Sequence, residues 1–170
     1  KLYYVYRDYY NDPQLGSRSR ILYTYFDGLN WQPLSEVSLI TANADYDYPS
    51  LAIDGQGNPQ IVFHYKNNST NQSSLVWTTK LKNNTWLAPQ VISLQSQNVY
   101  NNPVTVAGNA NNLLAVWNVK YSFNQRLAYN TADLTLDYTS SLPNIIFNGE
   151  PGASAGWVTG ANAAVAVQYE

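Results

Sequence analysis

One short strand-like pattern recurs four times along this chain and constrains its fold more than any other feature. The four copies are rich in β-branched and aromatic residues, which suit a pleated, half-buried sheet: residues 2–7, 60–65, 113–118 and 164–169. They recur about every 51–57 residues. No long stripe with a 3.6-residue period competes with them. The sequence therefore predicts an all-β chain with very little helix.

Each copy belongs to a longer unit that contains further short strands. A second strand follows the first three copies, at residues 20–25, 74–79 and 126–131. In two units a turn and a tryptophan come next, at residues 27–31 and 83–86. Another strand and a glycine-containing turn precede each later copy, at residues 49–54, 103–107 and 156–159. We name the strands A to D by their position within a unit. Along the chain they then follow the order BCD, ABCD, ABCD, AB. We therefore expect four-stranded antiparallel units.

Two segments resemble a known repeat family. Residues 49–63 (PSLAIDGQGNPQIVF) resemble a blade of the sialidase-like, Asp-box (BNR-type) β-propellers. Residues 27–31 (DGLNW) resemble the Asp-box turn, with its Asp and Trp one residue closer than usual. The resemblance implies propeller-like repeats of four-stranded blades. It also implies structural roles, on the face away from the ligand site, for Asp27, Trp31, Asn83 and Trp86.

The strand order predicts a single open propeller segment of about 3–4 blades. Its divisions are a partial blade 1–47, a blade 48–100, a blade 101–152 and a partial blade 153–170. The two partial blades do not complement each other, because both contain strand B. An unpaired sheet edge is a template for another strand. We therefore expect the partner to be the remainder of a longer chain or other copies of the same chain.

Composition excludes several classes of function and favours an extracellular or cell-surface location. The formal net charge is -2, charged residues make up 12%, and no basic run is present. These values exclude a nucleic-acid footprint and polybasic membrane binding, and no segment reaches the roughly 18 apolar residues of a spanning helix. Zero Cys excludes disulfides and thiol chemistry.

Asn-x-Ser/Thr patterns, which also arise by chance in an Asn-rich chain, predict glycan acceptors at Asn67, Asn68, Asn71 and Asn83.

Candidate ligand-binding residues come from the loops that the resemblance places on one face of the propeller. These loops, at residues 9–19, 41–48, 67–73, 95–102 and 120–125, are rich in Tyr and Asn. Tyr offers an apolar ring and a hydroxyl, a combination that suits sugars. We therefore expect glycan contacts from Tyr9, Tyr10, Tyr46, Tyr48, Tyr100, Asn102 and Tyr121, with Arg20 and Arg126. The alternative is that these are ordinary polar loop residues.

No residue is predicted to be catalytic. A sialidase-like site implies an Arg cluster, a Tyr–Glu pair and an acidic Asp, but the family's Arg-Ile-Pro segment is absent. Glycosidases generally use two positioned carboxylates, and the three Glu residues do not fall in the candidate loops. His64 is interpreted as a core residue of a strand. Asp45 and Asp47 are a weak candidate for a Ca²⁺ site, since the glycine of a calcium loop is missing; no other cofactor is expected.

Three functions follow as hypotheses. The first is a non-catalytic extracellular propeller segment in surface structure, assembly or glycan recognition. The second is a fragment of a sialidase-like glycoside hydrolase whose catalytic residues lie mostly outside the chain. The third is a strand-paired subunit of an extracellular filament. Arg and carboxylate side chains converging on one pocket favour the second, whereas Tyr and Asn loops alone favour the first.

Overall fold

The computed structural model describes residues 1–38, 43–81, 83–93, 105–108, 112–121, 124–133 and 147–148. Within these ranges the chain forms strands and no helix, which confirms the all-β prediction. The strands are β1 Leu2–Asp12, β2 Gly16–Phe26, β3 Ser35–Glu36, β4 Ala44–Ile53, β5 Pro59–Asn67, β6 Gln72–Thr79, β7 Gln90–Val91, β8 Thr105–Gly108, β9 Asn112–Tyr121, β10 Asn124–Asp133 and β11 Phe147–Asn148. Across the described residues, no helix has the length and apolar character needed to span a membrane.

The strands form three antiparallel sheets in chain order. The first sheet has the order β1-β2-β3, the second β4-β5-β6-β7 and the third β11-β10-β9-β8. Each sheet is a meander in which consecutive strands pair, the arrangement that short turns permit. Among the described strands, the first sheet has no counterpart of β4 and β8, so β1 lies at its edge.

The strand register shows which residues are equivalent in the three sheets. Val5 pairs with Tyr23 in the first sheet, Val62 with Trp77 in the second, and Val116 with Tyr129 in the third. These pairs match Val5 with Val62. A simple alignment of residues 2–7 on 60–65 would match Tyr4 with Val62 instead, which is one residue out of register. A shift of one residue exchanges the two faces of a strand. The register therefore decides which side of each sheet a residue occupies.

The first and second sheets share side-chain hydrogen bonds at equivalent positions. Thr24 Oγ1 donates to the carbonyl of Gln32 at 2.6 Å, and Thr78 Oγ1 donates to the carbonyl of Leu87 at 2.5 Å. In both sheets this hydroxyl holds the residue that follows the tryptophan against the strand that carries the threonine, which is β2 in the first sheet and β6 in the second. The sequence repeat is thus also a repeat of individual hydrogen bonds.

A second shared hydrogen bond uses a serine. The Ile21 amide donates to Ser38 Oγ at 3.1 Å, and the equivalent Leu75 amide donates to Ser93 Oγ at 2.8 Å. Both serines are buried. These hydroxyls satisfy backbone donors just beyond the short strands β3 and β7, where ladder pairing has ended.

Replacing Thr78 with valine is expected to lower the free energy of unfolding by about 1–3 kcal/mol, because it removes the donor to a buried carbonyl. Thr78 is fully buried. Urea denaturation checks the value. The matched control is Thr70→Val, at an exposed turn, where the change is expected to stay within about 0.5 kcal/mol. Equal effects at the two positions would contradict the repeated hydrogen bond.

The principal core lies between the first and second sheets. Its buried members are Ile21, Tyr23, Val37, Ala44, Tyr46, Ile61, Phe63 and Val76. Trp86 of the second sheet also packs edge-on against Tyr23 of the first at 5.2 Å between ring centroids. Its indole Nε1 donates to Ser35 Oγ at 3.2 Å. Aromatic packing and one cross-sheet hydrogen bond therefore fix the two sheets to each other.

The turn before Trp31 is stabilised by a carboxylate. Asp27 Oδ1 accepts hydrogen bonds from the amides of Leu29 at 2.7 Å and Asn30 at 2.9 Å. These backbone donors lower the pKa of the Asp27 carboxyl. In the second sheet Asn83 Oδ1 accepts from the Thr85 amide at 3.1 Å. Both residues organise turns, in the manner expected of short polar side chains.

The Asp27 turn makes stability depend on pH in a defined direction. Because folding lowers the pKa of Asp27, its contribution is present above the unfolded carboxyl pKa and is lost as pH falls through the folded value. Wild type is therefore expected to exceed Asp27→Asn in stability near neutral pH, with the difference vanishing in acid. Urea denaturation of both proteins at a series of pH values measures this. A difference that does not change with pH would contradict the interpretation.

Candidate functional site: a polar cleft between the first two sheets

A polar cleft opens where the β1–β2 hairpin approaches strands β4 and β5. Its volume is about 280 Å³. Both sheets contribute to its lining, which consists of Tyr9, Ser17, Arg18, Ser19, Asp45, Asp47, His64 and Lys66. Every one of these side chains can donate or accept a hydrogen bond. The cleft is therefore suited to a polar ligand.

Strand alternation supplies the acidic side of the cleft. In β4, Ala44 and Tyr46 are buried in the core, and Asp45 and Asp47 alternate with them. Across the ladder Asp45 lies opposite Lys66. Residues paired in this way have side chains on the same face of a sheet. The β4–β5 hairpin thus presents charges of both signs along one face.

A bulge interrupts β4 directly beside the cleft. The register shifts between Asp47 and Ser50, and Tyr48 has a φ of 48°. A positive φ is uncommon for a bulky residue and requires support from its surroundings. The Tyr48 ring lies edge-on to buried His64, with 6.2 Å between centroids. Bulges re-aim side chains next to functional sites, and here the bulge places Tyr48 at the cleft margin.

Arg7 connects the acidic side of the cleft to its tyrosines. Its guanidinium Nη1 forms an ion pair with Asp47 Oδ1. The guanidinium carbon Cζ lies 4.4 Å from the centroid of the Tyr9 ring and 6.0 Å from that of Tyr48. Stacking of this kind orients an aromatic ring. Tyr9, which is 63% exposed, is therefore held in place while much of its surface faces solvent.

The turn between β5 and β6 closes one rim of the cleft. Asn68 Nδ2 donates to Asp45 Oδ2 at 2.8 Å, and the Asn68 amide donates to the Asn43 carbonyl at 2.9 Å. These bonds tie the turn to the start of β4. Asp45 is thereby fixed from outside the cleft.

Arg18 lines the cleft and has one side-chain donor without a partner among the described residues. Its Nε is buried and has no hydrogen-bond partner within the part of the chain that the structure describes. Neither Arg18 nor Lys66 belongs to an ion pair among those same residues. A buried unsatisfied donor in a native protein calls for an explanation such as a ligand or a water. Arg18 is thus a cleft residue with one donor, Nε, for which the described residues supply no acceptor.

The predicted ligand residues lie in different parts of the structure. Tyr9 lines the cleft, and the Tyr48 ring contacts His64, another residue of the lining. Tyr46 lies in the core between the sheets, 5% exposed, where its ring packs against Phe63. Tyr100 and Asn102 fall outside the described residues, and of Tyr121 and Arg126 only the positions in β9 and β10 are described.

Arg20 and Tyr10 form a separate cluster away from the lining of the cleft. Arg20 Nε donates to Asp8 Oδ2 at 2.8 Å, and its Nη1 lies 3.6 Å from Glu36 Oε2. The hydrogen bond with Asp8 raises the pKa of Arg20, whereas burial raises the pKa of Glu36. The Arg20 guanidinium also lies 4.9 Å from the Tyr10 ring centroid. These contacts give Arg20 a role in joining β1, β2 and β3.

Six residues at the cleft were not among the sequence candidates: Arg7, Ser17, Arg18, Ser19, His64 and Lys66. His64 is 5% exposed, consistent with its interpretation as a buried strand residue, yet it also lines the cleft. The signal that could have found it is its pairing with Asp47 across the predicted β4–β5 hairpin. Pairing partners are accessible from sequence only when the bulge is known.

The acidic residues of the cleft are engaged by protein groups. Asp45 accepts from Asn68, and Asp47 pairs with Arg7 and accepts from the Tyr48 amide at 2.8 Å. Over the described ranges, no three His, Asp or Glu side chains are grouped so as to hold a metal ion. The Ca²⁺ hypothesis for Asp45 and Asp47 gains no support from these contacts.

No protein-family model matches the chain, and no curated protein matches it significantly.

Proposed function

We propose that this chain is a non-catalytic segment of an extracellular β-propeller that recognises a glycan in the cleft between its first two sheets. The repeated antiparallel sheets and their shared hydrogen bonds support the propeller arrangement. The cleft supports the binding role, because it combines an exposed aromatic ring with donors and acceptors in one cavity. Sugar ligands use that combination of a ring platform and directional polar groups.

The observation that carries the proposal is the lining of the cleft, which brings exposed Tyr9 together with Arg18, Asp45 and Lys66. A ligand oxygen within reach of the Arg18 Nε would satisfy a donor that has no partner among the described residues. A hydrogen bond from a charged donor is worth about 1.5–3 kcal/mol. Tyr9, fixed by the Arg7 stack, is the platform for the sugar ring. Asp45 supplies an acceptor for a hydroxyl group.

A printed glycan array tests this function directly. The tagged full chain is applied to an array of neutral and acidic glycans. We expect reproducible binding to a related group of glycans, lost when Arg18 is replaced by glutamine. The control variant is Tyr4→Ala, which changes a tyrosine outside the cleft that is 54% exposed. No binding to any glycan, or equal binding by the Arg18→Gln protein, would overturn the proposal.

A second candidate is a sialidase-like hydrolase fragment, and one observation favours it. Arg18 and the two carboxylates Asp45 and Asp47 line the same cleft. Against it, Asp47 is neutralised by Arg7, and Glu36 is engaged with Arg20 elsewhere. Incubation of the full chain with the glycans bound on the array distinguishes the two. Intact glycans support the binding module, whereas released sugar that disappears with Asp45→Asn supports the hydrolase.

The extracellular part of the proposal predicts which sequons carry glycans. Asn71 and Asn83 are exposed. In contrast, Asn67 and Asn68 are half-buried, and Asn68 Nδ2 donates to Asp45 Oδ2. Expressed through a secretory pathway, the chain is expected to carry glycans at Asn71 and Asn83. Intact mass before and after enzymatic deglycosylation, with Asn71→Gln and Asn83→Gln as controls, checks this; an unmodified secreted chain would contradict it.

A further inference from the structure

The first sheet has an exposed apolar face on the side opposite the core. We call it the open face and define it by Leu2, Tyr4 and Trp31. These side chains are 64%, 54% and 56% exposed. Monomeric proteins seldom leave several large apolar side chains exposed together, and such patches mark interaction surfaces.

The other two sheets bury the position that Tyr4 occupies. Tyr4 pairs with Thr24, Ile61 with Thr78 and Ala115 with Asn130, which are equivalent pairs. Ile61 and Ala115 are both 0% exposed. Ile61 belongs to the core cluster that the first sheet shares with the second. A preceding sheet therefore covers this face in the second unit.

The tryptophans show the same difference between units. Trp31 and Trp86 form equivalent isolated bridges, with Phe26 and Lys80 respectively. Trp86 packs on Tyr23 of the preceding sheet. Trp31 contacts the Phe26 ring of its own sheet at 5.7 Å and is otherwise largely exposed. The open face thus has the composition of an intersheet contact without a sheet against it.

The third sheet presents the complementary side. Leu114 occupies the position in the third sheet that Gln60 occupies in the second, because Leu114 pairs with Thr131 and Gln60 pairs with the equivalent Thr79. Gln60 is 0% exposed, whereas Leu114 is 38% exposed. Its neighbours Leu113 and Ala115, on the other face of β9, are buried. Tyr4 and Leu114, both exposed, thus occupy positions that lie on opposite sides of one repeated contact between sheets.

We propose that the open face of the first sheet binds the outward face of the third sheet of a second copy of this chain. The contact repeats the packing already made between the first and second sheets. Tyr4 would lie against β9, the strand that carries Leu114, and Trp31 against β10, the equivalent of the strand that carries Tyr23. Such an interface joins different surfaces of the two partners and produces a ring or an extended chain of copies. The proposal does not depend on the ligand cleft.

Cysteine cross-linking tests the contact, because the natural chain has zero Cys. Tyr4→Cys and Leu114→Cys proteins are prepared separately, then mixed under mild oxidation. We expect a covalent dimer in the mixture and little in either protein alone. A dimer formed equally by Tyr4→Cys alone would indicate symmetric docking and overturn the proposal, as would the absence of any covalent dimer.

Sedimentation velocity of the full chain across a wide range of concentrations provides the second measurement. Association is expected, with Tyr4→Glu raising the dissociation constant at least about tenfold because it places a charge in a desolvated contact. Tyr9→Ala is the matched control, since Tyr9 is on the opposite face of β1 and is similarly exposed. A wild-type chain that stays monomeric throughout, or Tyr4→Glu association equal to wild type, overturns the proposal. Circular dichroism confirms that each variant is folded.

Discussion

Replacing Phe63 with alanine is expected to lower the free energy of unfolding by about 3–5 kcal/mol, the cost of deleting a fully buried aromatic side chain. Phe63 is 0% exposed and packs against Tyr46, with 5.8 Å between ring centroids. It lies in the core cluster that joins the first and second sheets. Its loss would weaken the contact between the sheets as well as β5 itself.

Urea denaturation followed by tryptophan fluorescence measures this effect. The control is Leu29→Ala, because Leu29 is 85% exposed in a turn. That change is expected to stay within about 0.5 kcal/mol. If Phe63→Ala costs no more than the control, the two sheets do not share a core.

The second large effect concerns the cleft. Arg18→Gln is expected to weaken glycan affinity by about 10- to 100-fold, because the charged donor at the wall is replaced by a neutral one. Tyr9→Ala is expected to weaken it at least about tenfold by removing the ring platform. Isothermal titration with the glycan that gives the strongest array signal measures both variants.

Tyr4→Ala and Asp27→Asn are the controls for this experiment. Tyr4 belongs to the open face, and Asp27 organises a turn by accepting from Leu29 and Asn30. Both variants are expected to bind the glycan as wild type does. Loss of affinity in these variants, with Arg18→Gln unaffected, would place the ligand outside the cleft.

The strands were predictable because their residue types decide them. Segments such as β5 and β6 are rich in β-branched and aromatic side chains, and turn residues separate them. The alignment of the repeats was less accessible. β5 is buried on both faces, with Ile61, Val62 and Phe63 all at 0% exposure. A strand apolar on both sides loses the alternation that would fix its register.

The cleft was only partly predictable for a related reason. Tyr9 was predicted as a ligand residue from its position in a candidate loop, whereas Asp45 and Asp47 were predicted only as a weak Ca²⁺ candidate. Tyr46 alternates into the core instead, and the bulge that follows it changes the phase of β4. Composition alone cannot show this change of phase, because it depends on which residues face each other across the hairpin.

The charged residues depend on tertiary contacts even more strongly. Arg18 and Arg20 are two positions apart on β2, yet Arg20 is engaged by Asp8 while the Nε of Arg18 has no partner in the described part of the chain. Their neighbours along the sequence do not distinguish them. Only the pairing of β1 with β2 and the approach of β4 separate a structural arginine from a candidate ligand-binding arginine.

Mapping the bound glycan on the protein by NMR tests the central claim most directly. Backbone amide shifts of the labelled full chain are followed during titration with the glycan selected on the array. We predict that the largest changes cluster at the cleft, at residues 9, 17–19, 45–48 and 64–66. Changes centred on the open face around Tyr4 and Trp31, or no saturable change anywhere, would contradict the assignment of the cleft as the binding site.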